Sequence, residues 1–141
     1  MRIWWKAFCA VSCLGLLNVL GAVNASAQTW TIRDHTVAMK SNESIDVTKI
    51  YWTAGNCRSF LTATPEVEIL DGPPQVTASI RATTVLPRHY NCANRIAGGM
   101  LVLTSKDIED PSHTLVTLRI TYKTLEGERK KSEVIQLSLI P

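Results

Sequence analysis

Apolar and polar residues alternate most strictly in two C-terminal segments, 116–123 and 132–140. On one face of these segments lie Val116, Leu118, Ile120, Tyr122, Ile135, Leu137 and Leu139. A period of two is typical of a β-strand with one buried face. The intervening turn, 125–128, contains Gly127, which tolerates positive φ. The pattern therefore predicts a terminal β-hairpin.

Shorter segments upstream carry the same pattern. We predict strands at 29–33, 37–39, 45–52, 66–70, 76–81 and 100–104, with 57–61 irregular or a further short strand. Breaks are expected at Asp34-His35, at Gly72-Pro73-Pro74 and at Gly98-Gly99. Segment 45–52 has apolar residues on both faces, which indicates a bulge or partial cover on both sides. No segment has the period of an amphipathic helix. About seven strands predict an all-β fold, an immunoglobulin-like antiparallel β-sandwich.

The first 27 residues have the features of a signal peptide. Arg2 and Lys6 precede an apolar stretch, 7–23, and Ala25-Ser26-Ala27 resembles a cleavage site. We therefore expect a signal peptide at 1–27 and a single β-sandwich domain at 28–141. Two alternatives remain open at this point: acylation at Cys13, or retention of 3–23 as an uncleaved anchor of about 20 residues.

Cleavage would leave the domain almost neutral. Removing Arg2 and Lys6 from the 15 basic residues leaves 13, against 12 acidic residues, a formal charge of +1. The basic precursor therefore gives no reason to expect nucleic acid as a partner, and we expect no membrane association after cleavage.

Cys57 and Cys92 are the only cysteines of the expected mature domain, and they enclose 34 residues. Two cysteines of an exported domain usually pair. We therefore predict a Cys57–Cys92 disulfide and a secreted or periplasmic location, with a free thiol as the alternative.

Several residues are candidates for chemistry, but none of them belongs to a complete site. A type-1 copper site would need two imidazoles and a thiolate from His35, His89, His113 and Cys92, with Met100 as axial ligand. No histidine lies between Cys92 and Met100, so that loop lacks a required ligand. His89 three residues before Cys92 is weak support for a thiol hydrolase. We predict no catalytic residue, no metal site and no cofactor.

Charged and aromatic residues suggest only general surfaces. Glu66 and Glu68 share one strand face, whereas a glycosidase pair needs opposed carboxylates. Segment 129–131 is basic, but it lies at the expected tip of a hairpin, where charge keeps the surface soluble. A sugar-stacking platform would draw on Trp30, Tyr51, Trp52 and Tyr122, although such aromatics in a β-domain are more often packing residues.

Six features follow one another along the chain: Cys57, strand 66–70, Gly72-Pro73-Pro74, strand 76–81, Cys92 and the terminal hairpin. Their order resembles that of small secreted bacterial immunoglobulin-like domains with one cysteine pair. The resemblance implies fold and compartment and no active site. In antibody-type domains, a tryptophan between the two cysteines packs against their disulfide. The chain departs from this pattern, because Trp52 precedes Cys57 by five residues.

These observations favour an exported, non-enzymatic module that binds an unknown protein or polysaccharide through its loops. The alternatives are a secreted inhibitor of a hydrolase or protease and a carbohydrate-binding module.

Overall fold

The computed structural model describes residues 32–88 and 91–141, with side chains from Thr36 onward. These residues form β1 (Ile32–Lys40), β2 (Ser44–Ile50), β3 (Glu66–Asp71), β4 (Val76–Val85), β5 (Ile96–Ser105), β6 (Ser112–Thr124) and β7 (Gly127–Ile140). The segment predicted as a signal peptide, 1–27, and Trp30 lie outside the described residues.

The strands form two sheets. One has four strands in the order β1-β7-β6-β3, and the other has three in the order β2-β5-β4. Every pairing is antiparallel except that of β1 with β7, which is parallel. The predicted all-β, two-sheet architecture is confirmed. The prediction of a wholly antiparallel arrangement is wrong at β1, because the first strand runs alongside the last one in the same direction.

The core lies between the two sheets and comes from the alternating positions. The fully buried side chains include Leu101, Leu103, Val116, Leu118, Ile120 and Leu137. The first two project from β5 of the three-stranded sheet, and the others project from β6 and β7 of the four-stranded one. The C-terminal hairpin therefore supplies most of one core face, as the period of two predicts.

The N-terminal strand differs from its prediction. The chain was expected to break at Asp34-His35, between two short strands, whereas β1 is one strand of nine residues. Its pairing with β7 shifts register between Ile32 and Thr36. Asp34 and His35 thus fall at an irregularity within the strand. A bulge interrupts the alternation of apolar and polar residues just as a loop does, and the sequence pattern is the same in both cases.

The two adjacent glycines also differ from their prediction. Gly98 and Gly99 were expected to break the chain before a strand at 100–104, but β5 begins at Ile96 and contains both. A Cβ atom at Gly98 would lie 2.6 Å from the carbonyl oxygen of Ile50, and one at Gly99 would overlap Cγ2 of Ile80. Glycine is present because neighbouring strands approach closely here.

The predicted irregularity in the second strand is present. The pairing of β2 with β5 shifts register between Asp46 and Thr48. Ile50 is buried in the core, whereas Lys49 beside it is exposed. Beyond the bulge, β2 therefore still alternates between core and solvent.

Candidate functional site

One end of the sandwich gathers three connections between strands. β2, β4 and β6 end there, and β3, β5 and β7 begin there. We call this surface the loop end and define it by residues 51–65, 86–88, 91–95 and 125–126. The opposite end consists of 41–43, 72–75 and 106–111.

The predicted cysteine pair joins two of the connections at the loop end. The sulfur atoms of Cys57 and Cys92 lie 1.96 Å apart, at disulfide distance, and their Cα atoms lie 5.5 Å apart. Cys57 belongs to the β2–β3 connection and Cys92 to the β4–β5 connection. A cysteine pair at this distance is typical of proteins in oxidising compartments. The link therefore ties loop to loop rather than crossing the core.

Local hydrogen bonds shape the chain around Cys57. Its amide donates to the carbonyl of Ala54 at 3.1 Å. The amide of Arg58 donates to Oδ1 of Asn56 at 3.1 Å, and the hydroxyl of Thr53 donates to the carbonyl of Arg58 at 2.7 Å. Cys57 itself has a φ of 59°, which is uncommon for a residue other than glycine or asparagine. The turn and the cysteine pair together hold this unfavourable conformation.

The β2–β3 connection is also bonded to both sheets. The Ser59 hydroxyl donates to the carbonyl of Ala97 in β5 at 3.0 Å. The Thr62 amide donates to the carbonyl of Lys123 in β6 at 2.9 Å, and the Leu125 amide donates to that of Phe60 at 3.0 Å. The connection is therefore fixed on the sandwich, and it supports a hairpin tip at which Leu125 is 73% exposed.

The β4–β5 connection is held in a similar way. The amide of Arg88 donates to the hydroxyl of Tyr51 at 3.2 Å. The Arg95 guanidinium donates to the carbonyl and to the hydroxyl of Thr84, at 2.6 and 3.1 Å. Cys92 is buried. Backbone and side-chain contacts thus add to the cysteine link on this side.

Charge is distributed unequally between the two ends. The loop end carries three arginines, Arg58, Arg88 and Arg95, and a single carboxylate, Glu126, which lies 3.5 Å from Arg129 of β7. The connections at the opposite end carry Lys106 and the four acidic residues Glu43, Asp107, Glu109 and Asp110. The described part of the loop end is therefore cationic, although the expected mature chain is almost neutral.

A groove of about 760 Å³ lies beside the loop end. We call it the edge groove. Its lining consists of Asp46, Val47, Thr48, Lys49, Ile50, Tyr51, Arg88, Met100, Tyr122, Lys131 and Glu133. Tyr51 and Arg88 belong to the loop end as well, so the two surfaces are continuous.

The acidic and basic candidates from the sequence lie on strand surfaces and are ion-paired. Glu68 lies 3.2 Å from Arg119, and Glu66 pairs with Lys123. The hydrogen bond from Lys123 to Glu66, together with the charge of that carboxylate, raises the pKa of the lysine above its ordinary value. The basic run is paired too, since Lys130 and Lys131 lie 3.2 and 3.0 Å from Glu128 and Glu133. The basic run lies within β7 rather than at the hairpin tip, and Lys131 is half-buried there.

The histidine and aromatic candidates are not brought together as a site. His113 is exposed on β6, whereas His89 and the side chain of His35 lie outside the described residues. No group of three or more His, Cys, Asp or Glu residues in the described ranges is placed to hold a metal ion. Trp52 packs against Tyr122 with ring centroids 5.0 Å apart. Two of the four aromatic residues that a sugar platform would draw on are therefore packed against each other.

Sequence reasoning missed the edge groove, because its cations come from three distant segments. The charge difference between the two ends leaves a partial signal in the sequence, since the connections 53–65 and 82–99 between predicted strands contain no acidic residue.

Comparison of the chain with protein-family models, with curated proteins and with solved structures finds no match. Over residues 32–88 and 91–141, no helix is long and apolar enough to cross a membrane.

Proposed function

We propose that this protein is an exported, non-enzymatic, immunoglobulin-like domain that acts as an interaction or envelope-associated module through its loop end. The observation that carries the proposal is the Cys57–Cys92 link, which holds two connections together on one surface. Binding surfaces on β-sandwiches are commonly loops gathered at one end of a rigid scaffold.

The strand order supports the immunoglobulin-like assignment. In such domains the second, fifth and fourth strands share one sheet, and the third, sixth and seventh share the other. The present order has the same partition, with β2-β5-β4 opposite β7-β6-β3. The parallel β1 extends the second group beside β7.

Export is supported by two independent features. Residues 1–27 have the charge, apolar length and small-residue site of a signal peptide. The cysteine pair fits the oxidising compartment to which such a segment directs a protein. The two features together support a secreted or periplasmic location.

The loop end has the composition of a contact surface. Leu125 is 73% exposed at the hairpin tip, next to the half-buried Phe60. The three arginines of the loop end add positive charge, and Glu126 is the one carboxylate in its described part. A partner with an acidic and partly apolar surface would complement this end.

The test compares variants at the two ends. Full-length protein is exported, recovered and used to capture partners from envelope extract under mild cross-linking. An Arg58→Glu/Leu125→Asp variant changes the loop end, and Lys106→Glu/Leu115→Asp is the control, because both of its residues are exposed and lie away from the loop end. We expect wild type and control to capture the same species and the loop-end variant to lose it. Identical capture by all three proteins, or turnover in a broad activity screen, would contradict the proposal.

The hydrolase-inhibitor alternative would use the same loop end. A panel of hydrolases and proteases separates the two functions, because an inhibitor blocks turnover at micromolar concentration and a simple binding module does not. No contact in the described residues specifically favours the carbohydrate-binding alternative.

A further inference from the structure

The edge groove follows the unpaired side of a strand. In the part of the chain that the structure describes, β2 is an edge strand whose only sheet neighbour is β5. Successive side chains of a strand point to opposite faces. The groove nevertheless contacts six consecutive residues, 46–51. A cavity that contacts both faces in succession runs along the strand edge, where the backbone N–H and C=O groups project.

The opposite wall of the edge groove comes from β7. Lys131 and Glu133 line it, and both precede Val134, which is paired with Ile32 in the first described β1–β7 pair. The groove therefore lies beyond the described end of β1, between the edge of one sheet and the neighbouring strand of the other.

The charges on the groove are incompletely compensated. Asp46 lies 2.6 Å from Arg81, and Glu133 lies 3.0 Å from Lys131, so both groove carboxylates already have a cation. Lys49 and Arg88 are exposed, and neither has a carboxylate within ion-pair distance among the described residues. These two cations are placed to meet negative charge on a ligand.

We propose that the edge groove binds an extended, acidic segment of a partner polypeptide, which adds as a strand to β2. A strand edge presents backbone groups at the spacing of another extended chain, which a lipid or a glycan does not match. Lys49 and Arg88 select acidic side chains, and Ile50, Met100 and Tyr122 contribute apolar atoms to the lining. The edge groove shares Tyr51 and Arg88 with the loop end, and its lining does not include Leu125 of the hairpin tip.

The bulge sets the expected position of the added strand. Because β2 shifts register between Asp46 and Thr48, regular pairing is available mainly from Thr48 onward. The added strand would therefore lie beside Lys49 and end near Arg88 at the loop end. Hydrogen exchange at the amides of 48–51 should slow when the segment binds.

The probe is a capped peptide of about seven residues in which glutamate alternates with valine. We expect full-length protein to bind it, as measured by calorimetry, and a Lys49→Glu/Arg88→Glu variant to bind at least about tenfold more weakly. Lys106→Glu is the control and should bind as wild type does. The same peptide with lysine in place of glutamate should prefer the charge-reversed variant.

Backbone methylation separates strand addition from simple charge attraction. Methylating alternate peptide nitrogens removes hydrogen-bond donors from one edge of the probe and preserves its charge. We expect one of the two alternate patterns to abolish binding and the other to preserve it. Equal binding by both patterns, or no binding of the unmodified peptide, would overturn the proposal.

Two other occupants of the edge groove would give different experimental results. A dimer that the peptide dissociates in sedimentation would assign the groove to a second copy of this chain. Peptide binding seen only in a Trp30→Ala variant would assign it to the chain's own N-terminal residues. Either result would overturn the proposal, whereas the capture experiment with Leu125 tests the loop end independently.

Discussion

The rings of Trp52 and Tyr122 lie 5.0 Å apart at an interplanar angle of 56°, and they join the start of the β2–β3 connection to β6 of the four-stranded sheet. Tyr122 is buried and Trp52 is half-buried, so the pair closes the core immediately beneath the loop end. Tilted aromatic pairs of this kind contribute about 1 kcal/mol beyond the area that they bury.

Trp52→Ala should lower the free energy of unfolding by about 3 kcal/mol, because it removes a large packed side chain. Trp52→Phe should cost less, since a ring remains against Tyr122. Urea unfolding measures both, and a double-mutant cycle with Tyr122→Leu should give a coupling of about 1 kcal/mol. Additive effects in that cycle would show that the rings pack without a specific interaction.

The two β5 glycines should respond differently to alanine. Gly98→Ala brings a methyl group against the backbone carbonyl of Ile50, whereas Gly99→Ala meets the side chain of Ile80, which is half-buried and can adjust. We expect Gly98→Ala to cost about 1–3 kcal/mol and Gly99→Ala to cost less. Thermal unfolding of the two variants checks the order, and the reverse order would contradict the close approach of β2.

Ser105 is a buried polar residue that fixes the turn between β1 and β2. Its hydroxyl donates to the carbonyl of Lys40, and its amide donates to the carbonyl of Glu43 at 2.9 Å. Ser105→Ala removes the first of these bonds and should cost about 1–3 kcal/mol in denaturant unfolding. Ser79→Ala changes an exposed serine of β4 and serves as the control, with an expected effect below about 0.5 kcal/mol.

Lys123 should titrate above the ordinary lysine range, because Glu66 accepts a hydrogen bond from its ammonium group and raises its pKa. Since the pKa is raised in the folded state, the pair contributes fully below the ordinary lysine pKa. The contribution is lost as the pH rises through the raised value. Glu66→Gln should lower the pKa of Lys123 in an NMR titration. The same titration curve in both proteins would exclude the ion pair in solution.

Replacing both cysteines by serine should lower the free energy of unfolding by roughly 3–4 kcal/mol, because the unfolded chain regains the freedom of a loop of 34 residues. Chemical denaturation of Cys57→Ser/Cys92→Ser measures this loss. Wild type under reducing conditions is the matched comparison and should lose a similar amount, and a stability equal to that of the oxidised protein would contradict the expected role of the link.

The sequence predicts the C-terminal hairpin well. Along β6 from Val116, and along β7 up to Leu139, buried residues alternate with more exposed ones, as the apolar and polar residues do in the sequence. It predicts β1 poorly, because an irregularity at Asp34-His35 interrupts the alternation as a turn would. Gly98 and Gly99 were misassigned for a related reason. Their role is to admit Ile50 and Ile80 from neighbouring strands, and local sequence carries no information about that distance.

The cysteine pair and the edge groove also differ in whether the sequence predicts them. Cys57 and Cys92 could be paired from the sequence, because no third cysteine of the expected mature domain competes with them. The edge groove could not be found, since Lys49, Arg88 and Lys131 meet only after β2 and β7 are placed in different sheets. Alternation specifies which face of a strand is buried, and it does not specify which strand edges remain unpaired.

Non-reducing peptide mapping by mass spectrometry, on protein recovered from its own compartment, shows directly whether the two connections are linked. We expect the peptide containing Cys57 to be covalently joined to the peptide containing Cys92, and the chain to begin at Gln28. Recovery of both thiols in reduced, alkylatable form would contradict this expectation, because the two connections at the loop end would then lack the link that defines the proposed binding surface.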